Sequence, residues 1–323
     1  VKETWEYSEK LLGKFEVEYW SRANVNHYLA EDNLDIAIDM LIQYGRPNAA
    51  LNCLFEPLFT KKLLDKKRAV IALLEAVSSG NSADPIDTYN VVEIIKALQD
   101  DPEVNQDDLF KIEWAYLPLL TGPGKQASTK LLERKLASEP EFFCEAIRLL
   151  FRSKNEPESD KEPMEQKKMM AENVWRLFSD WGTLPGAQLE GSFSADDFNH
   201  WLKSVKEKCE SSGHLEVALS TIGGVLIHYI PDPDGLWIHR ALAEALNAED
   251  ADRMRNGFSI GIMNSRGAHF VDPTGKPEKE LAAKYKKQAD DVENAGYYRL
   301  AATLRGLEKF YKGEAKRIVE EIL

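Results

Sequence analysis

The stretch LDIAIDMLIQYGRPNAALNCLFEPL, residues 34–58, decides the fold class. Leu34, Ile38, Leu41 and Ile42 recur at i, i+4, i+7 and i+8, the spacing that gathers side chains on one face of a helix. Tyr44-Gly45-Arg46-Pro47 breaks that rhythm. Glycine takes left-handed backbone without strain and so suits a C-terminal cap. Proline suits the first turn of the next helix, which runs to about Leu58.

The same grammar runs along the rest of the chain. Val70, Leu73, Leu74 and Val77 form a stripe that ends at Ser78-Ser79-Gly80-Asn81, and Val91, Val92, Ile94, Ile95 and Leu98 form one that ends at Asp100-Asp101-Pro102. Asp107 is placed to cap a segment carrying Leu109, Ile112, Trp114, Tyr116 and Leu120. Leu131, Leu132 and Leu136, then Ser138-Glu139-Pro140, then Phe142, Phe143, Ile147, Leu150 and Phe151 read as a helical hairpin. Further helices are expected around 164–181, 194–210, 213–229, 236–245, 250–263, 278–294 and 299–323. No run alternates apolar and polar residues between turn signals, so strands are not expected.

About fifteen helices with short connections exceed one four-helix bundle. The economical arrangement is an all-α solenoid of degenerate helical-hairpin repeats, of tetratricopeptide or HEAT type, in which each hairpin buries its apolar face on the next. The nearest internal echo sets residues 44–51 against 296–304; both put an aromatic and an arginine at a helix–helix turn, followed by small residues. Residues 153–163, poor in apolar side chains and rich in Glu, Lys and Pro, read as a mobile linker or loop. It divides an N-terminal array, 1–152, from a C-terminal one, 164–323.

Charge and cysteine usage exclude several function classes. The 323 residues carry 41 Lys+Arg against 54 Asp+Glu, a net charge of −13, which opposes general nucleic-acid binding. A local basic stripe at Arg253, Arg255 and Arg266 is the exception to weigh. Cys53, Cys144 and Cys209 lie far apart with no C-x-x-C pair, so a disulfide scaffold is not expected, and a reducing, cytoplasmic setting is the simplest. The apolar run Val225–Ile230 is far short of a membrane span. A start at Val1 without a signal-like segment suggests a piece of a longer polypeptide or a removed tag.

Candidate chemistries fail one by one on spacing. Thr121-Gly122-Pro123-Gly124-Lys125 lacks the second half of a phosphate loop, since Gln126 follows the lysine. Pro231-Asp232-Pro233-Asp234-Gly235 starts like a calcium loop, but Ala243 stands where the glutamate belongs, and the segment reads as a turn. Cys209, His214, His228 and His239 lack the paired spacing of a structural zinc site. No Glu-x-x-His occurs, which leaves a helical di-metal site without its motif. Cys144, between Phe143 and Ile147, reads as core. The aromatics Trp5/Tyr7, Tyr19-Trp20, Trp114/Tyr116 and Trp175/Trp181 follow helical spacing, most as core and some as lining for a binding face. No catalytic residue, metal or cofactor is therefore expected; an enzyme with a carboxylate or metal site between helices is the alternative.

The unusual stretch is 257–276, where Gly257 and Gly261 lay a bare strip on a helix and Asn264, Arg266 and His269 follow in a loop. With Arg240, which could join them if the two helices pack as a hairpin, these are the candidate partner-binding residues. The competing reading is a helix crossing and a loop tied down by Arg266.

Five segments together, Tyr44-Gly45-Arg46-Pro47, residues 112–120 (IEWAYLPLL), residues 139–143 (EPEFF), Asp234-Gly235-Leu236-Trp237 and Asn264-Ser265-Arg266-Gly267, resemble the helical C-terminal regions of large bacterial multidomain proteins, among them STAND-type NTPases of antiphage defence. The resemblance covers most of the chain. It implies a sensor-like array that binds a protein partner or other domains of its parent chain, with NTPase and effector modules upstream, and it carries over no catalytic residue.

Overall fold

The computed structural model describes residues 34–59, 63–78, 84–122, 127–155, 165–188, 191–268 and 270–320. Among them 73% are helical and no strand forms; one isolated bridge joins Ala187 and Phe193. None of the described helices is long and apolar enough to cross a membrane. The chain divides into two compact units, Val1–Leu132 and Glu133–Leu323.

In the first unit, α1 (Leu34–Gln43), α2 (Pro47–Phe59), α3 (Lys66–Ser78), α4 (Thr88–Gln99), α5 (Gln106–Ala115) and α6 (Leu117–Leu120) follow in order. Each packs chiefly on the next and next-but-one helix, and Ala37, Ile38, Leu41, Ile94, Ile95 and Ile112 lie in their shared core. The stop after α1 is a Schellman cap. Gly45 sits at φ +73°, its N–H donates to the Ile42 carbonyl, and the Arg46 N–H donates to Leu41, so two otherwise orphaned carbonyls are satisfied. The Arg46 guanidinium then grips Asp84 with two hydrogen bonds of 2.8 and 2.7 Å. Asn105, two residues ahead of the expected Asp107, caps α5 by accepting from the Asp107 and Asp108 amides.

Glu113 is fully buried in this unit. One carboxylate oxygen accepts from Leu131 N–H (3.1 Å) and Gln99 Nε2 (2.6 Å), and the other accepts from Leu132 N–H (2.9 Å). Those amides open α7 (Lys130–Ser138). A buried carboxylate thus caps a helix from a distance of 18 residues in sequence.

The second unit contains α8 (Pro140–Leu150), α9 (Glu165–Asp180), α10 (Ala195–Ser211), α11 (Leu215–Val225) with a 3-10 turn after it (Leu226–His228), α12 (Arg240–Asn247), α13 (Asp252–Asn264), α14 (Lys276–Asn294) and α15 (Tyr298–Glu320). Phe143, Phe178, Trp181 and Trp201 pack ring against ring where α8, α9 and α10 meet, with centroids 5.1–6.3 Å apart. Trp181 is buried, as its spacing led one to expect, whereas Trp175 is 58% exposed. The α14–α15 turn repeats the α1 stop: Gly296 at φ +90° donates to Glu293, and Tyr297 N–H donates to Val292.

The boundary between units differs from the one expected at 153–163. Helix α8 packs against α9, α10 and α11, and the Glu133 carboxylate accepts from the Gly182 amide and the Thr183 hydroxyl. Residues 133–152 therefore belong with the C-terminal helices, and the hairpin read at 131–151 lies across the division. The start of the expected linker is anchored. Ser153 Oγ donates to the Ser212 carbonyl, Lys154 N–H donates to Gly213, and the Lys154 ammonium pairs with Glu216. The remainder of that segment, 156–163, lies outside the described residues.

Candidate recognition groove

Helix α13 has two faces with opposite tasks. Met254, Gly257, Phe258 and Ile262 are buried. At Gly257 a methyl group would overlap the Ser220 carbonyl of α11, and at Gly223 of α11 it would overlap the Met254 carbonyl of α13. Backbone therefore lies on backbone. The glycine strip is a helix crossing, and the price of roughly 1 kcal/mol that glycine carries in a helix is offset by contact that no larger residue permits.

The opposite face of α13 and one face of α15 bound an open groove of about 380 Å³. Two contacts set its direction. Asn247 Oδ1 accepts from the Arg299 and Leu300 amides at the start of α15, close to where α13 begins. Beyond the end of α13, Arg266 lies over the Tyr311 ring. The groove consequently runs from a polar end at Asp252, Asn256 and Thr303 to an apolar end at Met263, Leu307 and Phe310. Gly306 lines its floor, with nothing within 4 Å of where a side chain would start. Phe310 is 45% exposed.

The arginines at its edges have partners inside the molecule. Arg253 pairs with Glu216 at 2.8 Å, and Arg255 donates to the Leu246 and Ala248 carbonyls at the end of α12. Arg266 pairs with Glu278 at 2.9 Å. The basic stripe weighed from the sequence is thus three separate internal ties.

Arg266 has the surroundings of a structural residue. Glu278 is 2% exposed. The guanidinium lies 5.7 Å from the Tyr311 ring centre, and Tyr311 stacks on Tyr285 at 5.6 Å. Burial pushes both phenols above their ordinary range. Arg266→Ala should lower stability by about 2 kcal/mol in urea unfolding, because it strands the Glu278 carboxylate among apolar rings. Equal stability of the variant would return Arg266 to the list of recognition residues.

Arg240 is not brought to this cluster. Its amide donates to Asp232 at 2.8 Å, and its side chain lies near Asp232, Asp234 and Tyr297. Tyr297 immediately precedes α15 and Tyr311 lies in its middle, about 20 Å further on at 1.5 Å per residue. Asn264 ends α13 and is exposed. His269 lies outside the described residues, as do Trp5, Tyr7, Tyr19, Trp20, Lys125 and Gln126.

The segment that resembled a calcium loop is a turn. Asp232 accepts from the Asp234 and Arg240 amides, which hold its carboxyl below the usual carboxylate range, and Gly235 supplies φ +91°. The four residues weighed for zinc have separate partners. Cys209 faces Cys144, His214 contacts Ser212 and the Phe151 carbonyl, His228 lies beside Gly182, and His239 caps α12. Among the described residues no group of three or more His, Cys, Asp or Glu could hold a metal ion.

Sequence reasoning did not single out Asn256, Ser259, Thr303, Gly306 and Phe310 as a set. Their signal is an exposed glycine in a long helix, and pairing it with the polar face of α13 needs the tertiary fold. No family model matches this chain, and comparison with curated proteins and with solved structures finds no match.

Proposed function

We propose that the chain is a non-catalytic α-solenoid of degenerate helical hairpins that recognises a protein partner, or another part of a larger bacterial parent chain, through the α13–α15 groove. The observation that carries this reading is the groove itself: a preformed cleft with hydrogen-bonding groups at one end and an exposed aromatic at the other. The occupant it suits is a peptide segment with an apolar side chain for the Met263, Leu307 and Phe310 end. The contact of each helix in the first unit with its next and next-but-one neighbours agrees with a stacked array. The resemblance to sensor regions of STAND-type proteins agrees with a regulatory role.

Gly306→Trp tests it. The position is exposed and open, so the indole fills the groove while stability stays within about 1 kcal/mol of the parent. Partner capture from an extract of the source cell, with both proteins immobilised side by side, should retain a protein on the parent that is lost at least tenfold on the variant. The same set of proteins retained by both removes the groove from consideration.

A further inference from the structure

We propose that Cys144 and Cys209 are a site of oxidative modification, closing into a reversible intrachain disulfide between α8 and α10. The inference is independent of the recognition groove and rests on the geometry of the second unit.

The two sulfurs are 3.4 Å apart, and Cys209 donates its thiol hydrogen to Cys144. A disulfide holds its sulfurs at about 2.05 Å, so bonding requires an approach of about 1.4 Å, within reach of small side-chain rotations. The helices that carry them are pinned on both sides of the pair. Phe143, next to Cys144, packs edge-on against Trp201 at 5.1 Å, and Trp201 precedes Cys209 by two turns on the buried stripe of α10. Past the far ends of the two helices, Ser153 and Lys154 bond to the Ser212 and Gly213 carbonyls. The sulfurs therefore meet as a property of the packed fold.

The pair is also asymmetric. The hydrogen bond from Cys209, with lesser help from Arg148 and Lys208, makes the Cys144 thiol more acidic than an ordinary cysteine, against burial and the opposing charge of Glu141. The same hydrogen bond and burial drive Cys209 the other way. Cys144 and Cys209 are buried; Lys208 and Glu141, whose charges act on Cys144, pair at 2.8 Å and are both partly exposed. Burial pushes the Cys53 thiol, in the other unit, up to about 11.

The oxidant class is a hydroperoxide. The Cys144 thiolate attacks one peroxide oxygen, the O–O bond breaks, and the departing oxygen leaves as water or alcohol after taking a proton. Cys144 is then a sulfenic acid. The Cys209 sulfur attacks it, the S–S bond forms, and hydroxide leaves with the Cys209 proton as water. In sum, two thiols and one hydroperoxide give one disulfide, one water and one further water or alcohol. A thiol reductant reverses the bond through a mixed disulfide.

The experiment is hydrogen peroxide titration of the reduced full chain under native conditions, followed by alkylation and peptide mass mapping. The expected product has lost two hydrogens, links the Cys144 peptide to the Cys209 peptide, leaves Cys53 alkylated, and reverts with dithiothreitol. In parallel, Cys209→Ser should trap Cys144 as a dimedone-reactive sulfenic acid. The chain unfolded in guanidinium should scramble among all three cysteines, which separates native proximity from chance. Native Cys144 and Cys209 that stay alkylatable at peroxide levels that oxidise free cysteine would overturn the proposal. So would links through Cys53, or irreversible oxidation of Cys144 alone.

Discussion

Gly257→Ala is expected to lower stability by about 3 kcal/mol, a severe effect for one methyl group. The new carbon would overlap the Ser220 carbonyl, and because the obstacle is main chain, no rotamer change relieves it. Helices α11 and α13 must part, and their loss of packing belongs at the upper end of overpacking costs. The gain in helix propensity, up to about 1 kcal/mol, offsets only a fraction. Gly313→Ala, on an exposed position with open space around it, should instead raise stability by a few tenths to about 1 kcal/mol. Urea unfolding followed by circular dichroism compares the two. Equal midpoints for both variants would mean that the crossing is looser than the structure describes.

Glu113→Ala is expected to cost a similar amount, about 3 kcal/mol, in the first unit. It removes the acceptor for the Leu131 and Leu132 amides and for Gln99, and each stranded buried donor costs about 1–3 kcal/mol. Glu113→Gln keeps one oxygen and should lose roughly half as much. Glu103→Ala, at an exposed carboxylate between α4 and α5, should stay within about 0.5 kcal/mol. A Glu113→Ala protein as stable as the Glu103→Ala one would show that the cap contributes nothing net.

Much of this fold is legible in the sequence, for reasons visible at particular residues. Gly45 followed by Pro47 reads as a stop and a start because left-handed backbone and a fixed φ are local properties. The 3.6-residue stripes likewise place α1, α10 and α13 within a residue or two. What the stripes conceal is a polar residue doing an apolar residue's job. Glu113 completes the i, i+3, i+4, i+7 face of Leu109, Ile112 and Tyr116, and only the fold brings the α7 amides that let a carboxylate sit there. The unit boundary was hidden for a related reason. The composition change at 153–163 is real, but which helices share a core is decided by contacts such as Glu133 with Gly182.

The candidate site divides the same way. Arg266 could be recognised as a residue with a task, and what favours a structural one is Glu278, twelve residues downstream and buried. Arg240 and Arg266 would be neighbours only if their helices packed as a hairpin; Arg240 lies by Tyr297, just ahead of α15, and Arg266 by Tyr311, in the middle of it. The Cys144–Cys209 contact spans 65 residues, and no spacing rule announces a pair that far apart.

The α11–α13 crossing has a consequence for descent. A mutation at a glycine codon can only add atoms, so Gly223 and Gly257 have no neutral neighbours, and neither can change first while the other stays. Gly313, exposed and with open space around it, is free to drift. Lineages diverging from this chain should therefore keep two glycines on facing helices as a fixed pair while Gly313 on α15 scatters, and that contrast would mark the crossing after the rest of the sequence has lost its likeness.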